Sequence, residues 1–321
     1  MVIVAGCFGP DAREGLRCTS AGDCPPGQDC HPVAGGPEPG VCLSAPPEDG
    51  GMAADGGVPF GAPEMVELSC GADACLSPRD PSLTDDRKQI LFTVDSLNAI
   101  GDRDVYLARR MTAFDSWSPA ESAGLINSVT VEEAAWVTGI GLRVYFTRAD
   151  QSVNGPPYGD IWVSDRPAVT DSFDAAAPVA GVVNTSQGDE RAAVSTAESD
   201  RLVFARALSA SPADHDVYLA LQGGGQWDTV ARVELLALAG EDEHSVAIVE
   251  ATRSLFVARG DRIVEARWSG GFIAGAEVVT VHDELEVAGA VRLSGLWAAP
   301  DGSEIWFGAC SETCAIYRAV R

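Results

Sequence analysis

The stretch DRDVYLAR at residues 102–109 returns as GDIWVSDR (159–166) and DHDVYLAL (214–221), which sets Asp104, Asp160 and Asp216 56 residues apart. Looser copies follow as DRIVEAR (261–267) and CAIYRAV (314–320). A second column lies upstream of each copy: ILFTV, VYFTR, LVFAR, LFVAR and IWFGA, whose Phe92, Phe146, Phe204, Phe256 and Phe307 are spaced by 54, 58, 52 and 51 residues. A third column is aromatic and opens a closing segment downstream, at Trp117, Phe173, Trp227 and Phe272. Ahead of each phenylalanine stands one more short apolar run: PSLT, AAWV, AAVS, VAIV and SGLW. A pattern copied at fixed spacing is one supersecondary unit stacked on itself.

Each unit holds four short runs rich in β-branched and aromatic residues, separated by Gly, Asp and Pro, which predicts four strands. Ile90-Leu91-Phe92 and Val144-Tyr145-Phe146 are apolar at consecutive positions, as in strands buried on both faces. Four-stranded units of about 50 residues with two-sided burial predict the blades of a β-propeller. Five units are counted, the fourth (246–281) being the shortest. The fifth has only three runs before the chain ends, and the missing one is at the front: PFGAPEMVELS (59–69) matches the closing segment, with Phe60 in the aromatic column. The fold class expected is therefore all-β, a propeller of five four-stranded blades. Its N-terminal strand completes the last blade, which leaves no open edge to the ring.

The unit DPSLTDDRKQILFTVDS…DRDVYLARR…WSPAESAGLINS resembles the TolB-type, WD40-like propeller repeat of bacterial envelope proteins, and APDGSEIWF in the fifth unit echoes the Pro-Asp-Gly turn of that repeat. The resemblance covers 58–321. It implies the fold and an extracytoplasmic, interaction-type role. It carries over no particular partner, because propellers host many functions.

The region before the repeats divides into a leader and tether (1–17), a cysteine-rich module (18–42) and an acidic Gly/Pro-rich linker (43–57). Val4-Ala5-Gly6-Cys7 resembles a bacterial lipobox, which implies lipid attachment at Cys7. Phe8 rather than aspartate follows it, which points to the outer membrane. Six residues precede Cys7, fewer than a signal peptide's charged and apolar regions need, and the alternative for Cys7 is a free thiol. The other eight cysteines cluster as Cys18, Cys24, Cys30 and Cys42, then Cys70 with Cys75, then Cys310 with Cys314. An even, clustered set predicts disulfides and an oxidising, extracytoplasmic compartment. A module of 25 residues cannot bury a core and needs such crosslinks. Its connectivity is open, as is the choice between local pairing and cross-pairing of the last two clusters. A metal site would want C-x-x-C pairs, and the sequence has none.

Forty-seven acidic residues against 22 basic ones give a net charge of -25. Such a field repels phosphate backbones and argues against nucleic acid as a partner. No apolar run is long enough to span a bilayer, so any membrane attachment is peripheral, through the lipid. LQGGGQW (221–227) lacks the lysine and following helix of a phosphate loop. No G-x-S-x-G or H-E-x-x-H occurs.

In an up-and-down blade, the entry to the first strand and the connection between the second and third emerge on one face. The long connections 95–102, 149–159 and 207–214 are of this kind, and long loops on a rigid scaffold are common binding elements. Asp80, Glu133, Glu190 and Glu243 each precede a first strand near the axis, and Asp104, Asp160 and Asp216 begin third strands. Together they define a candidate binding face, a carboxylate-lined mouth. Three readings compete: acids as turn formers, a recognition surface for a basic or amine-bearing partner, or a catalytic or Ca²⁺ site. Catalysis needs two acids in different environments, whereas these recur in successive units. The sequence therefore favours a non-enzymatic envelope binding protein with no catalytic residue, no metal and no cofactor. A polysaccharide- or peptide-processing enzyme is the alternative.

Overall fold

The computed structural model describes residues 17–18, 28–31, 40–44, 58–71, 73–95, 102–149, 159–197, 200–208, 214–234, 236, 240–269, 272–273 and 276–321. The chain forms two compact units, Met1–Gly57 and Val58–Arg321. In the first, Arg17–Cys18, Gly40–Ser44 and Gln28–His31 make an antiparallel sheet with Gly40–Ser44 in the middle. Cys30 and Cys42 stand opposite each other in its register. Cys7, Cys24 and residues 45–57 of the linker lie outside the described residues.

The second unit is the five-bladed propeller. Blade 1 comprises Arg79–Leu83, Gln89–Asp95, Arg103–Arg109 and Glu121–Ser122. Blade 2 comprises Val131–Val137, Arg143–Ala149, Gly159–Asp165 and Ala177–Pro178, and blade 3 Gly188–Ser195, Arg201–Leu208, His215–Gly223 and Gln226–Arg232. Blade 4 comprises Glu243–Val249, Ser254–Arg259, Arg262–Arg267 and Glu277–Val281. Blade 5 takes Arg292–Ala298, Glu304–Cys310 and Cys314–Val320 from the C-terminus and Glu64–Met65 from the front. Met65 pairs with Tyr317 and Glu64 with Arg318, and the Gly61 and Val66 amides donate to Val320 and Ile316 at 2.8 Å. The expected ring closure is present.

The consecutive apolar residues have a direct cause. Each blade packs a neighbour on either face, so the core is five layers between blades. Phe92, Phe146, Phe204, Phe256 and Phe307 are all at most 1% exposed. Phe173 joins Phe146 and Leu91 between blades 1 and 2. Trp227 joins Phe204 and Tyr145 between blades 2 and 3, and Phe60 joins Phe256 and Phe307 between blades 4 and 5.

Among the described residues two disulfides are in place, and both are local. Cys70–Cys75 closes the ribbon of Ser69–Cys70 with Asp73–Ala74, and Cys310–Cys314 clamps the hairpin between the second and third strands of blade 5. The Cys314 amide donates to the Ser77 hydroxyl at 2.8 Å, which ties that hairpin to the entry of blade 1.

Candidate functional site: the mouth of the propeller

A bulge in each first strand decides what faces the axis. It sits between Arg79 and Ser82, Glu133 and Trp136, Arg191 and Val194, and Ser294 and Leu296. Asp80, Ala134, Ala192 and Gly295 adopt left-handed φ values of 51–54° there. Outside glycine such values are uncommon, and they persist where the surrounding fold determines them. In blade 4 the bulge is displaced, between Glu243 and Ser245, and His244 occupies it.

The register separates acids that look alike in the sequence. Glu132, Glu190 and Glu243 are each 0% exposed. Each pairs with an arginine on the second strand of its own blade: Arg148 at 2.8 Å, Arg206 at 2.9 Å and Arg259 at 2.9 Å. Each arginine also donates backwards to a carbonyl near the end of the preceding blade, on Ile126, Val183 and Leu236 at 2.6, 2.6 and 2.8 Å. These are staples between blades. Glu190 and Glu243 are thus placed inside the protein rather than in the mouth, and the residue equivalent to them in blade 2 is Glu132, not Glu133. Burial pushes the Glu190 carboxyl up to about 6 even with Arg206 beside it.

Asp104, Asp160 and Asp216 do not join the mouth either. Asp104 is buried, Asp160 is raised above the usual carboxylate range by burial, and Asp216 pairs with Arg232 of the closing strand at 2.7 Å. The bodies of the three long connections, 96–101, 150–158 and 209–213, lie outside the described residues.

Asp80 and Glu133 do line the mouth, a cavity of about 340 Å³ to which all five blades contribute. With them are Asp95, Glu312, His244 and four arginines, Arg79, Arg103, Arg191 and Arg292. Below, the channel narrows to about 10 Å³ between Asp80, Ala134, Trp136, Ala192, Val246 and Leu296. That is roughly the space of one water. The mouth is a funnel that tapers along the axis. Among the described residues, no group of three or more His, Cys, Asp or Glu is arranged to hold a metal.

Its charges alternate in a chain. Arg79 contacts Asp95, and Asp95 is 3.4 Å from Arg103. Arg103 meets Glu133 at 2.5 Å, and Glu133 lies 3.8 Å from Arg191. Arg191 contacts Asp189, which leads to His215 at 3.2 Å and on to Asp242 at 2.7 Å. Asp242 closes the chain with His244 at 3.4 Å and Arg292 at 3.9 Å. Burial works against the charge on Glu133, but Arg191 and Arg103 outweigh it and hold the carboxyl below its usual range. Burial, and then the charge of Glu133, push Asp80 the other way.

Both ring nitrogens of His215 face carboxylates. A carboxylate only accepts, so both bonds form together only when each nitrogen carries a proton, that is, in the charged ring. Burial opposes that charge, yet the bonds to Asp189 and Asp242 raise the His215 pKa above its ordinary value. With the folded value above the unfolded one of about 6.5, this stabilisation is full below that pH and fades as pH rises through the folded value. The melting-temperature gap between the parent and His215→Gln is therefore expected to be widest near pH 6 and to shrink in alkaline buffer. A gap that grows with pH would contradict the assignment.

Two repeated features escaped the sequence reading. One is the Glu–Arg staple, signalled by the arginine that ends VYFTR, LVFAR and LFVAR. The other is an asparagine after two closing segments. Asn127 accepts from the Val105 amide and donates to its carbonyl, both at 2.9 Å, and Asn184 does the same to Ile161 at 2.8 and 2.9 Å.

No family model and no curated protein matches the chain. Among solved structures it is similar to an α-L-arabinofuranosidase from Lactobacillus brevis, with TM-score 0.52 and 12% identity over 76% of this chain and 91% of that one. It is also similar to TolB from Acinetobacter baumannii, with TM-score 0.44 and 12% identity over 77% of this chain and 55% of that one. A nidogen/laminin complex gives TM-score 0.46 and 10% identity over 78% and 84%. The chain thus spans about half the length of the TolB chain. At such identities the likeness is one of fold: the chain is a five-bladed β-propeller whose structural neighbours include TolB.

Proposed function

We propose that this protein is a non-enzymatic binding protein of the bacterial envelope, exported, lipid-anchored at Cys7, and presenting the mouth of its propeller to a protein or glycan partner. The observation that carries the reading is the polar funnel fed by all five blades. In a chain with net charge -25, four of 22 basic residues converge there. The two disulfides in the propeller suit an oxidising compartment. Ser311 is exposed on the lip, and Ile140, in the turn between the first two strands of blade 2, is exposed on the opposite face. A photo-crosslinking residue at 311 is expected to capture a discrete adduct in native envelope, and the same residue at 140 none. An adduct from 140 alone, or from neither, would contradict the proposal.

One observation favours an enzyme as a second reading. Asp80 and Glu133 share the cavity, and their environments push their carboxyls in opposite directions, as acid and base roles require. Turnover of a polysaccharide or peptide by the parent, abolished in Asp80→Asn, would replace binding by hydrolysis.

A further inference from the structure

Blade 5 keeps the bulge of blades 1, 2 and 3 but changes the side chain before it, and the change lies at a recess of the mouth. Where blades 1, 2 and 3 present Arg79, Glu133 and Arg191, blade 5 presents Ser294. Gly295 follows, and a Cβ there would lie 2.2 Å from the Asp80 Cα, so nothing larger than glycine fits. The connection above is the short, disulfide-clamped turn carrying Ser311 and Glu312.

Arg292 opens this blade, and it is the arginine of the mouth with spare capacity. Its side chain is 48% exposed, and its nearest carboxylate, on Asp242, is 3.9 Å away, beyond hydrogen-bonding distance. Arg103, by comparison, has Glu133 at 2.5 Å. Glu312 makes no ion pair among the described residues. The recess thus offers a half-exposed guanidinium, paired only loosely with Asp242, beside hydroxyls and a carboxylate.

Resting on the binding reading, we propose that the recess recognises a carboxylated sugar, a uronic acid unit of a glycan, with the Arg292 fork on the carboxylate and Ser294, Ser311 and Glu312 on the hydroxyls. Planar bidentate pairing is what guanidinium offers a carboxylate. Sugar hydroxyls both donate and accept, which matches walls that mix arginines with acids. A phosphate is more highly charged than a carboxylate, so it would face Glu312 and Asp95 unfavourably. A peptide C-terminus supplies the carboxylate without the hydroxyls. The volume of about 340 Å³ lies at the small end of ligand pockets. The net charge of -25 favours a sparsely charged glycan over a dense polyanion.

Calorimetric titration of the full chain with sodium glucuronate, glucose, alanyl-alanine and inorganic phosphate tests this. Saturable binding of glucuronate is expected, with glucose, alanyl-alanine and phosphate each weaker by about tenfold or more. Arg292→Gln is expected to lose about the same factor while melting like the parent, and Glu312→Gln to keep the preference for glucuronate over glucose. Absence of glucuronate binding, equal affinity for glucose, tighter binding of the dipeptide or phosphate, or parent-like binding by Arg292→Gln would each overturn the proposal. If glucuronate fails while the adduct at position 311 persists, the binding function stands and only the ligand assignment falls.

Discussion

Replacing Glu132 by alanine is expected to cost about 3–5 kcal/mol of stability, the range for stripping one partner from a buried ion pair. Glu132 is 0% exposed and accepts from Arg148 at 2.8 Å, the Ser128 amide at 2.9 Å, the Ser128 hydroxyl at 2.5 Å and the Thr130 hydroxyl at 3.0 Å. Removing it leaves a guanidinium only 15% exposed without a counter-charge and several donors without an acceptor. The adjacent Glu133 is the control. Its partner Arg103 is 38% exposed, so water screens the loss, and Glu133→Ala is expected to cost roughly 1 kcal/mol. Urea denaturation followed by tryptophan fluorescence measures both. Equal costs would mean that the staple and the mouth are not distinct.

The second large effect is expected at the seam. Phe60→Ala should destabilise the propeller by about 3–5 kcal/mol, as for other buried aromatic truncations. The ring is 3% exposed, edge-on to Phe256 at 6.1 Å and to His282 at 5.3 Å, with the Arg321 guanidinium 4.2 Å from its centre. The Phe60 amide donates to Glu284 at 3.3 Å. These contacts join the start of the propeller to blade 4 and to the last residue of the chain. A Phe60→Ala protein as stable as the parent would refute the role assigned to the closing strand.

The architecture was legible because every blade faces two neighbours, so apolar columns recur at consecutive positions in each copy. Register was legible only in part. Counting back from the phenylalanine column, Asp80 lies 12 residues before Phe92, Glu133 13 before Phe146, Glu190 14 before Phe204 and Glu243 13 before Phe256. Those unequal offsets, across a bulge that adds a residue to the first strand, were the sign that four acids in a column do not share one environment. Glu132 and Glu190 share the offset of 14 and the same staple, while the displaced bulge of blade 4 brings Glu243 into that role from 13. The arginines of the mouth were not legible. Arg103 and Arg292 reach the funnel from different strands of different blades, and no spacing in the sequence joins them to Arg79 and Arg191.

Carboxyl footprinting of the folded protein, by carbodiimide coupling of an amine followed by peptide mass spectrometry, tests the division of the acids most directly. Glu312 and Asp95 are expected to label readily and Glu133 slowly, whereas Glu132, Glu190 and Glu243 stay unlabelled until the protein is unfolded. Labelling of Glu190 and Glu243 at the rate of Glu312 would return the repeated acids to the surface and contradict the account.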